Sequence, residues 1–228
     1  VSSPSAAAGH SSTRPFIVAH RAGNRHDSIR EATRHAGLVV EADLRLANDR
    51  LEARHMRCAG PLPLLWDRWE LAAGWRPRPT VLDVLDRVPP ATPLLLDLKG
   101  SSPRIAELAR EAIAPEAGRR EITVCARSWP LLDAFTDLPV ARVASVGSRR
   151  QLRALVQRFP RGSLDGVSIH ERLLDRVAVR RLREVCGLIM TWPVNTVERA
   201  TELVALGVEG LISDEPAQIL RGLGLSTA

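Results

Sequence analysis

From Pro15 onward, short apolar runs alternate with segments whose apolar residues recur every three or four positions. The first pattern predicts buried parallel strands and the second predicts helices packed over them, so each pair reads as one βα unit. Strands are expected over 16–19, 39–46, 93–98, 122–126, 140–146, 166–169, 188–191 and 210–213. Helices are expected over 28–36, 80–88, 102–114, 148–159 and 175–185, with a short one over 129–135. Asp27 or Ser28 can cap the first, and Ser102-Pro103 supplies cap and first turn for the third. Eight such units predict a single-domain α/β chain of the TIM (β/α)8 barrel type, whose chemistry gathers at the C-terminal ends of the strands.

Two stretches break the rhythm. Residues 51–55 follow Asn48-Asp49, a turn pair, and read as a hairpin partner or extension of the second strand. Residues 56–79 carry prolines at 61, 63, 77 and 79 and tryptophans at 66, 69 and 75. That is too long for a plain connection and too apolar for a disordered one, so a folded insertion is expected, either facing the ligand or stapling the loop to the barrel. Residues 1–14 have no periodicity and are rich in Ser and Ala; they read as a disordered leader ahead of a barrel spanning 15–228.

Polar residues at the strand ends carry the candidate chemistry. In Val40-Glu41-Ala42-Asp43-Leu44 the two acids share one strand face, and two anions side by side in a sheet call for a cation. In the next unit, Asp97 and Lys99 share a face at the end of an apolar run. Lys99 is the single lysine among 32 basic residues, which suggests a need there for a compact ammonium in place of a planar guanidinium. Glu41, Asp43 and Asp97 together offer hard oxygen ligands suited to Mg²⁺ or Ca²⁺; the competing reading pairs them with Arg21, Arg45 or Lys99. His20-Arg21, His55, Arg127, His170, Trp192, Asn195 and Asp214 fall at the same rim. His20 and His55 are the candidate proton-transfer pair. Arg21 and Lys99 are candidate phosphate ligands, Arg127 and Trp192 further ones, whereas His170, Asn195 and Asp214 read as structural. A Schiff-base role for Lys99 conflicts with the adjacent Asp97, which keeps the amine protonated.

Net charge and cysteines narrow the classes. The balance is +6 with a pI near 10.6, yet the arginines are scattered among acids along helices, and aromatics make up only 4%. A stacking surface for nucleic acid is therefore not expected. No apolar run approaches the length of a bilayer span. Cys58, Cys125 and Cys186 are odd in number and widely spaced, which points to reduced thiols and a cytoplasmic setting. Oligomeric state has no signal in the sequence.

The ordered set of His20-Arg21, Glu41-Ala42-Asp43, His55, Asp97-Leu98-Lys99, Trp192-Pro193-Val194-Asn195 and the stretch 207–216 resembles the glycerophosphodiester phosphodiesterases over 16–220. The resemblance implies a TIM barrel that uses a divalent cation to split glycerophosphodiesters into glycerol 3-phosphate and an alcohol. It implies attack on phosphorus by the neighbouring glycerol hydroxyl, with the two histidines as acid and base and a cyclic phosphate that water then opens. Three positions depart from the family pattern. A Pro-Glu-Asn-Thr segment is shortened to His26-Asp27-Ser28, the second histidine is followed by Met56 where aspartate is usual, and Asp97 stands where glutamate is frequent. The last is shared with the sphingomyelinase D-like phospholipases, so an enzyme acting on lysophospholipid head groups is the nearest alternative. An inactive barrel that binds phosphate ligands or a protein through the insertion is the other.

Overall fold

The computed structural model describes residues 14–58, 64–67, 70–74 and 77–225. Twelve strands are present among them: β1 (Phe16–Ala19), β2 (Leu38–Ala47), β3 (Arg50–Ala53), β4 (Arg57–Cys58), β5 (Leu64–Asp67), β6 (Glu70–Ala73), β7 (Leu94–Leu98), β8 (Ile122–Ala126), β9 (Ala141–Val146), β10 (Gly166–His170), β11 (Leu188–Trp192) and β12 (Gly210–Ser213). Seven helices accompany them: α1 (His26–Ala32), α2 (Val81–Arg87), α3 (Pro103–Ile113), α4 (Arg149–Arg158), α5 (Arg176–Arg183), α6 (Val197–Ala205) and α7 (Pro216–Gly222). Strands β1, β2 and β7 to β12 pair in parallel in that order, and β1 also pairs with β12, which closes an eight-stranded barrel. All eight expected strands are in place.

Alternation along each strand divides the core into two compartments. Outward residues such as Ile17, Leu94, Leu96, Val124, Ile169 and Leu211 pack against the helices. Inward residues Val18, Leu95, Cys125, Val143, Met190 and Ile212 form a separate plug inside the barrel, with Phe16, Val39, Leu188 and Trp192 against it. Gly210 is required in that plug, since a Cβ there would lie 2.4 Å from Met190 Cγ and 2.8 Å from Phe16 Cζ. The plug fills the barrel interior with apolar side chains and leaves its polar groups to the layer above, at the C-terminal rim.

Local chemistry explains several boundaries. Thr80 and Asp83 form a reciprocal capping box at α2. At the far end of α2 the buried Arg120 donates from Nη1 to Val88 O (2.7 Å) and from Nη2 to Leu85 O (3.0 Å), closing carbonyls the helix leaves open. Helix α1 differs from expectation: it begins at His26, its N-cap is the extended Arg25, and neither Asp27 nor Ser28 caps it. Ser102 sits at the N-cap of α3 without a side-chain cap bond, and Pro103 opens the helix. The 129–135 segment is a 3₁₀ helix.

The insertion is folded. Strand β3 returns antiparallel on β2, and β4, β5 and β6 form a separate antiparallel sheet. Trp69 and Trp75 of the expected insertion lie outside the described residues, as do residues 1–13 of the expected leader. Arg14 reaches Gly224 O at 3.3 Å. Among the described residues no helix is long and apolar enough to cross a membrane. The three cysteines are unpaired, Cys58 exposed and the other two buried.

Candidate active site

Strands β2 and β7 are neighbours in register, with Asp43 opposite Asp97. Glu41, Asp43 and Asp97 thereby converge on the barrel interior above the apolar plug, and one ligand oxygen from each lies within 4.8 Å of the others. Glu41 and Asp43 are fully buried, at 2% and 0% exposure. Burial pushes the Glu41 carboxyl well above its usual range, and the nearby Asp43 charge adds to the shift. Asp97 is raised for the same two reasons, burial first. Burial would also raise Asp43, but the Lys99 ammonium outweighs it and holds that group down at about 2.

Lys99 is the pivot of this charge balance. Its Nζ lies 2.8 Å from Asp43 Oδ1 and also contacts Asp97 Oδ2. Burial acts to lower its pKa, but the surrounding Asp97, Asp43 and Glu41 charges raise it well above the usual lysine range. A neutral amine for Schiff-base chemistry is therefore unavailable at Lys99. Of the arginines weighed as partners for the acids, Arg45 turns away and donates from Nε to His55 O at 2.9 Å. Arg21 reaches Asp43 only at 3.7 Å.

The turn after β1 supplies the rest of the cluster's support. Arg21 adopts φ 57° and ψ 14°, a left-handed conformation that turns its backbone N–H onto Glu41 Oε2. Gly23 then lets the 3₁₀ turn 22–24 lie flat on β2, since a Cβ there would sit 2.5 Å from Ala42 Cβ and 3.0 Å from Glu41 O. That approach places Asn24 so that its Nδ2 donates to Asp43 Oδ2 (2.8 Å) and its Oδ1 accepts from Asp43 N (2.9 Å). Residues 26–28, the shortened segment, open α1. The amide that binds Asp43 is that of Asn24, in the turn before the helix, a residue the sequence pattern did not mark.

His20 and His55 are each held by a carboxylate. His20 Nδ1 is 2.6 Å from Asp214 Oδ1, and Asp214 is fixed by Asn195, whose Nδ2 donates to Oδ2 at 2.9 Å and whose Oδ1 accepts from Asp214 N at 3.0 Å. Asp214 and Asn195, read from sequence as structural, thus orient a candidate site residue. Asp214 is held down at about 2, first by its bond to His20. His55 Nδ1 is 2.8 Å from Asp67 Oδ2, and the same oxygen is 3.2 Å from Arg21 Nη1. Asp67 belongs to β5 of the insertion and was not singled out from the sequence. Burial lowers the His55 pKa, with Arg21 and Lys99 acting in the same direction and Asp43 and Asp67 opposing.

The remaining rim candidates are less engaged. The Trp192 ring lies 4.7 Å from that of His170, tilted at 58°. His170 Nδ1 accepts from Arg172 N at 3.2 Å. The Arg127 guanidinium lies over Gly147, where a Cβ would come within 2.2 Å of Nη2, and its charge lowers the pKa of both Asp97 and His170.

Two buried carboxylates and the partly buried Asp97 share one ammonium in contact, with the Arg21 guanidinium 3.7 Å from Asp43, so acidic groups outnumber the cations in direct contact with them. Asp43 Oδ1 has an ionic neighbour but no aligned hydrogen bond. An all-oxygen donor set of this kind fits a hard dication and suits zinc poorly.

No protein-family model matches the chain, and no curated protein matches it. Solved structures do. A phosphodiesterase of Oleispira antarctica, solved in complex with the product sn-glycerol-3-phosphate, is 17% identical, with 92% of this chain and 97% of that chain covered and a TM-score of 0.73. A glycerophosphodiester phosphodiesterase of Thermotoga maritima is 15% identical, with coverage of 91% and 98% and a TM-score of 0.71. One from Parabacteroides distasonis is 16% identical, with coverage of 92% and 98% and a TM-score of 0.68. At these identities the likeness establishes the shared barrel.

Proposed function

We propose that this chain is a phosphoric diester hydrolase of the glycerophosphodiester phosphodiesterase type, releasing glycerol 3-phosphate and an alcohol with Mg²⁺ or Ca²⁺ held by Glu41, Asp43 and Asp97. The observation that carries the reading is the convergence of those three acids beside two carboxylate-held histidines at one barrel rim. When bound, the dication supplies a Lewis acid for phosphate oxygens and offsets charge that builds up during displacement.

The chain's own residues account for the other steps. Arg21 and Lys99 hold the non-bridging phosphate oxygens, the first as a planar fork and the second as a point charge. Arg127 and Trp192 bound the phosphate and leaving-group side. His55 is the better proton acceptor, because burial and the neighbouring cations keep its ring neutral. It takes the proton from the neighbouring glycerol hydroxyl as that oxygen bonds to phosphorus. The bond from phosphorus to the alcohol oxygen breaks, and His20 gives its proton to the departing oxygen. Water then opens the cyclic phosphate with the two histidines in exchanged roles.

The direct test is release of glycerol 3-phosphate from a glycerophosphodiester by purified protein. Activity should stop with EDTA, return with Mg²⁺ or Ca²⁺, and be absent in Glu41→Gln. Turnover indifferent both to chelator and to that substitution excludes the reading. A second reading, a phospholipase D-like enzyme that displaces lysophospholipid head groups, is favoured by Trp66 and Leu71, paired across β5 and β6 and exposed at 43% and 69%. Cyclic lysophosphatidate among the products of a lysophospholipid incubation identifies that activity. The unpaired cysteines fit a reducing compartment such as the cytoplasm.

A further inference from the structure

We infer that the insertion is part of the catalytic apparatus, and that Asp67 on its strand β5 is a positioning residue that fixes both the tautomer of His55 and the reach of Arg21. The inference rests on the proposed chemistry for its catalytic consequence, but not for its structural content. A carboxylate accepts and does not donate, so the 2.8 Å contact to Asp67 Oδ2 requires the proton of a neutral His55 to reside on Nδ1. Nε2 is then left with a bare lone pair, the form a proton acceptor needs. A free imidazole favours the opposite tautomer or a mixture, so the preference is imposed from outside the ring.

The same oxygen lies 3.2 Å from Arg21 Nη1, whereas Arg21 Nε stays 3.7 Å from Asp43. Asp67 therefore draws the guanidinium toward the rim and away from the acid cluster, which leaves Asp43 to Lys99 and Asn24. Strand β5 is built for this. Side chains alternate along it, and Trp66 is exposed while the next residue, Asp67, is only 18% exposed and meets the barrel rim. The residue directly after His55 is Met56, which has no carboxylate to offer an imidazole N–H, and the orienting carboxylate comes from 12 residues further along the chain.

The test uses the full chain. Proton–nitrogen correlation NMR of the imidazole nitrogens, at about pH 8 so that the ring is neutral, reads the tautomer directly, with the His55 signals assigned by their loss in His55→Gln. Wild type should show a protonated Nδ1 and a bare Nε2. Asp67→Ala should lose that single-tautomer pattern, and Asp67→Asn should lower kcat/KM for a glycerophosphodiester about 100-fold, as expected for a misdirected base. Cys58→Ser, an exposed change on β4, the other strand paired with β5, should keep both the tautomer and the rate. A wild-type His55 protonated on Nε2, or a tautomer unchanged in Asp67→Ala, overturns the inference. Equal losses in Cys58→Ser and Asp67→Asn overturn it too, since they would show a general effect of the β4–β6 sheet. If wild type lacks phosphodiesterase activity, the proposed function fails, while the tautomer measurement still decides the role of Asp67.

Discussion

Replacing Glu41 by glutamine should make the metal-free protein more stable while abolishing its response to metal. The side chain is 2% exposed, and its oxygen lies within 4.8 Å of those of Asp43 and Asp97. At that separation and an effective dielectric of about 20, each like-charge pair costs roughly 3 kcal/mol, of which the Lys99 ammonium returns a large share. Glutamine keeps the shape and can still accept the Arg21 backbone N–H, so the hydrogen bond survives and the repulsion does not. The net gain should be about 1–3 kcal/mol in EDTA, or a Tm higher by a few to about ten degrees for a domain of this size.

Metal reverses the ranking. Saturation at a hundred times Kd stabilises the wild type by about 2.7 kcal/mol, and the variant, short of one ligand charge, should gain little. The pH dependence has a definite sign. Because the folded-state pKa of Glu41 is raised above its ordinary value of 4.5, the folded metal-free protein binds a proton more readily than the unfolded chain. Its contribution is fully favourable below about 4.5 and is lost as pH rises through the folded value. Asp43, held at about 2, changes stability only at pH below its ordinary 3.8. Thermal melts in EDTA at a series of pH values should therefore fall with rising pH above 4.5 in wild type, and the Glu41→Gln curve should be flatter. A variant less stable than wild type in EDTA, or one with an undiminished metal-induced rise in Tm, refutes the reasoning.

Three further outcomes follow from the same geometry. Lys99→Met removes the ammonium from between Asp43 and Asp97, so the metal-free protein should lose about 3–5 kcal/mol, and the Tm rise on adding Mg²⁺ or Ca²⁺ should exceed that of wild type in the same thermal melts. Arg120→Leu leaves the carbonyls of Leu85 and Val88 without donors; urea unfolding should show a loss of about 2–4 kcal/mol with kcat unchanged in the folded protein. Gly23→Ala places a methyl 2.5 Å from Ala42 Cβ. It should lift the 22–24 turn, lower both Tm and kcat, and be partly rescued by Ala42→Gly in a double-mutant cycle.

The barrel was legible because period carries it. Strands such as β7 and β10 are buried on both faces and read as apolar runs, and the helices between them repeat at helical spacing. Glu41, Asp43 and Asp97 stood out for the converse reason, since a charge inside such a run has no structural excuse. The supporting residues had no comparable contrast. Asn24 and Asp67 lie in a turn and in a short insertion strand, where polar residues are ordinary, and their partners are 19 and 12 residues away. Asp214 meets His20 across 194 residues, a pairing made only when β1 and β12 close the barrel.

The start of α1 shows how a local rule yields to the site. Capping preference favours Asp27 or Ser28, yet Asn24, the nearest better-placed cap residue, is committed to Asp43 on both its oxygen and its nitrogen. The helix begins behind an extended Arg25 with no side-chain cap, forgoing roughly 1 kcal/mol of capping. Asn24 and Gly23 belong to the same turn, so the sequence that brings the backbone close to β2 also supplies the amide that holds Asp43. A weak helix start is thus the local cost of a turn shaped around the acid cluster. Restoring a cap by Arg25→Asp would set another carboxylate beside that turn, which is why the stabilising choice for the helix is a poor one for the site.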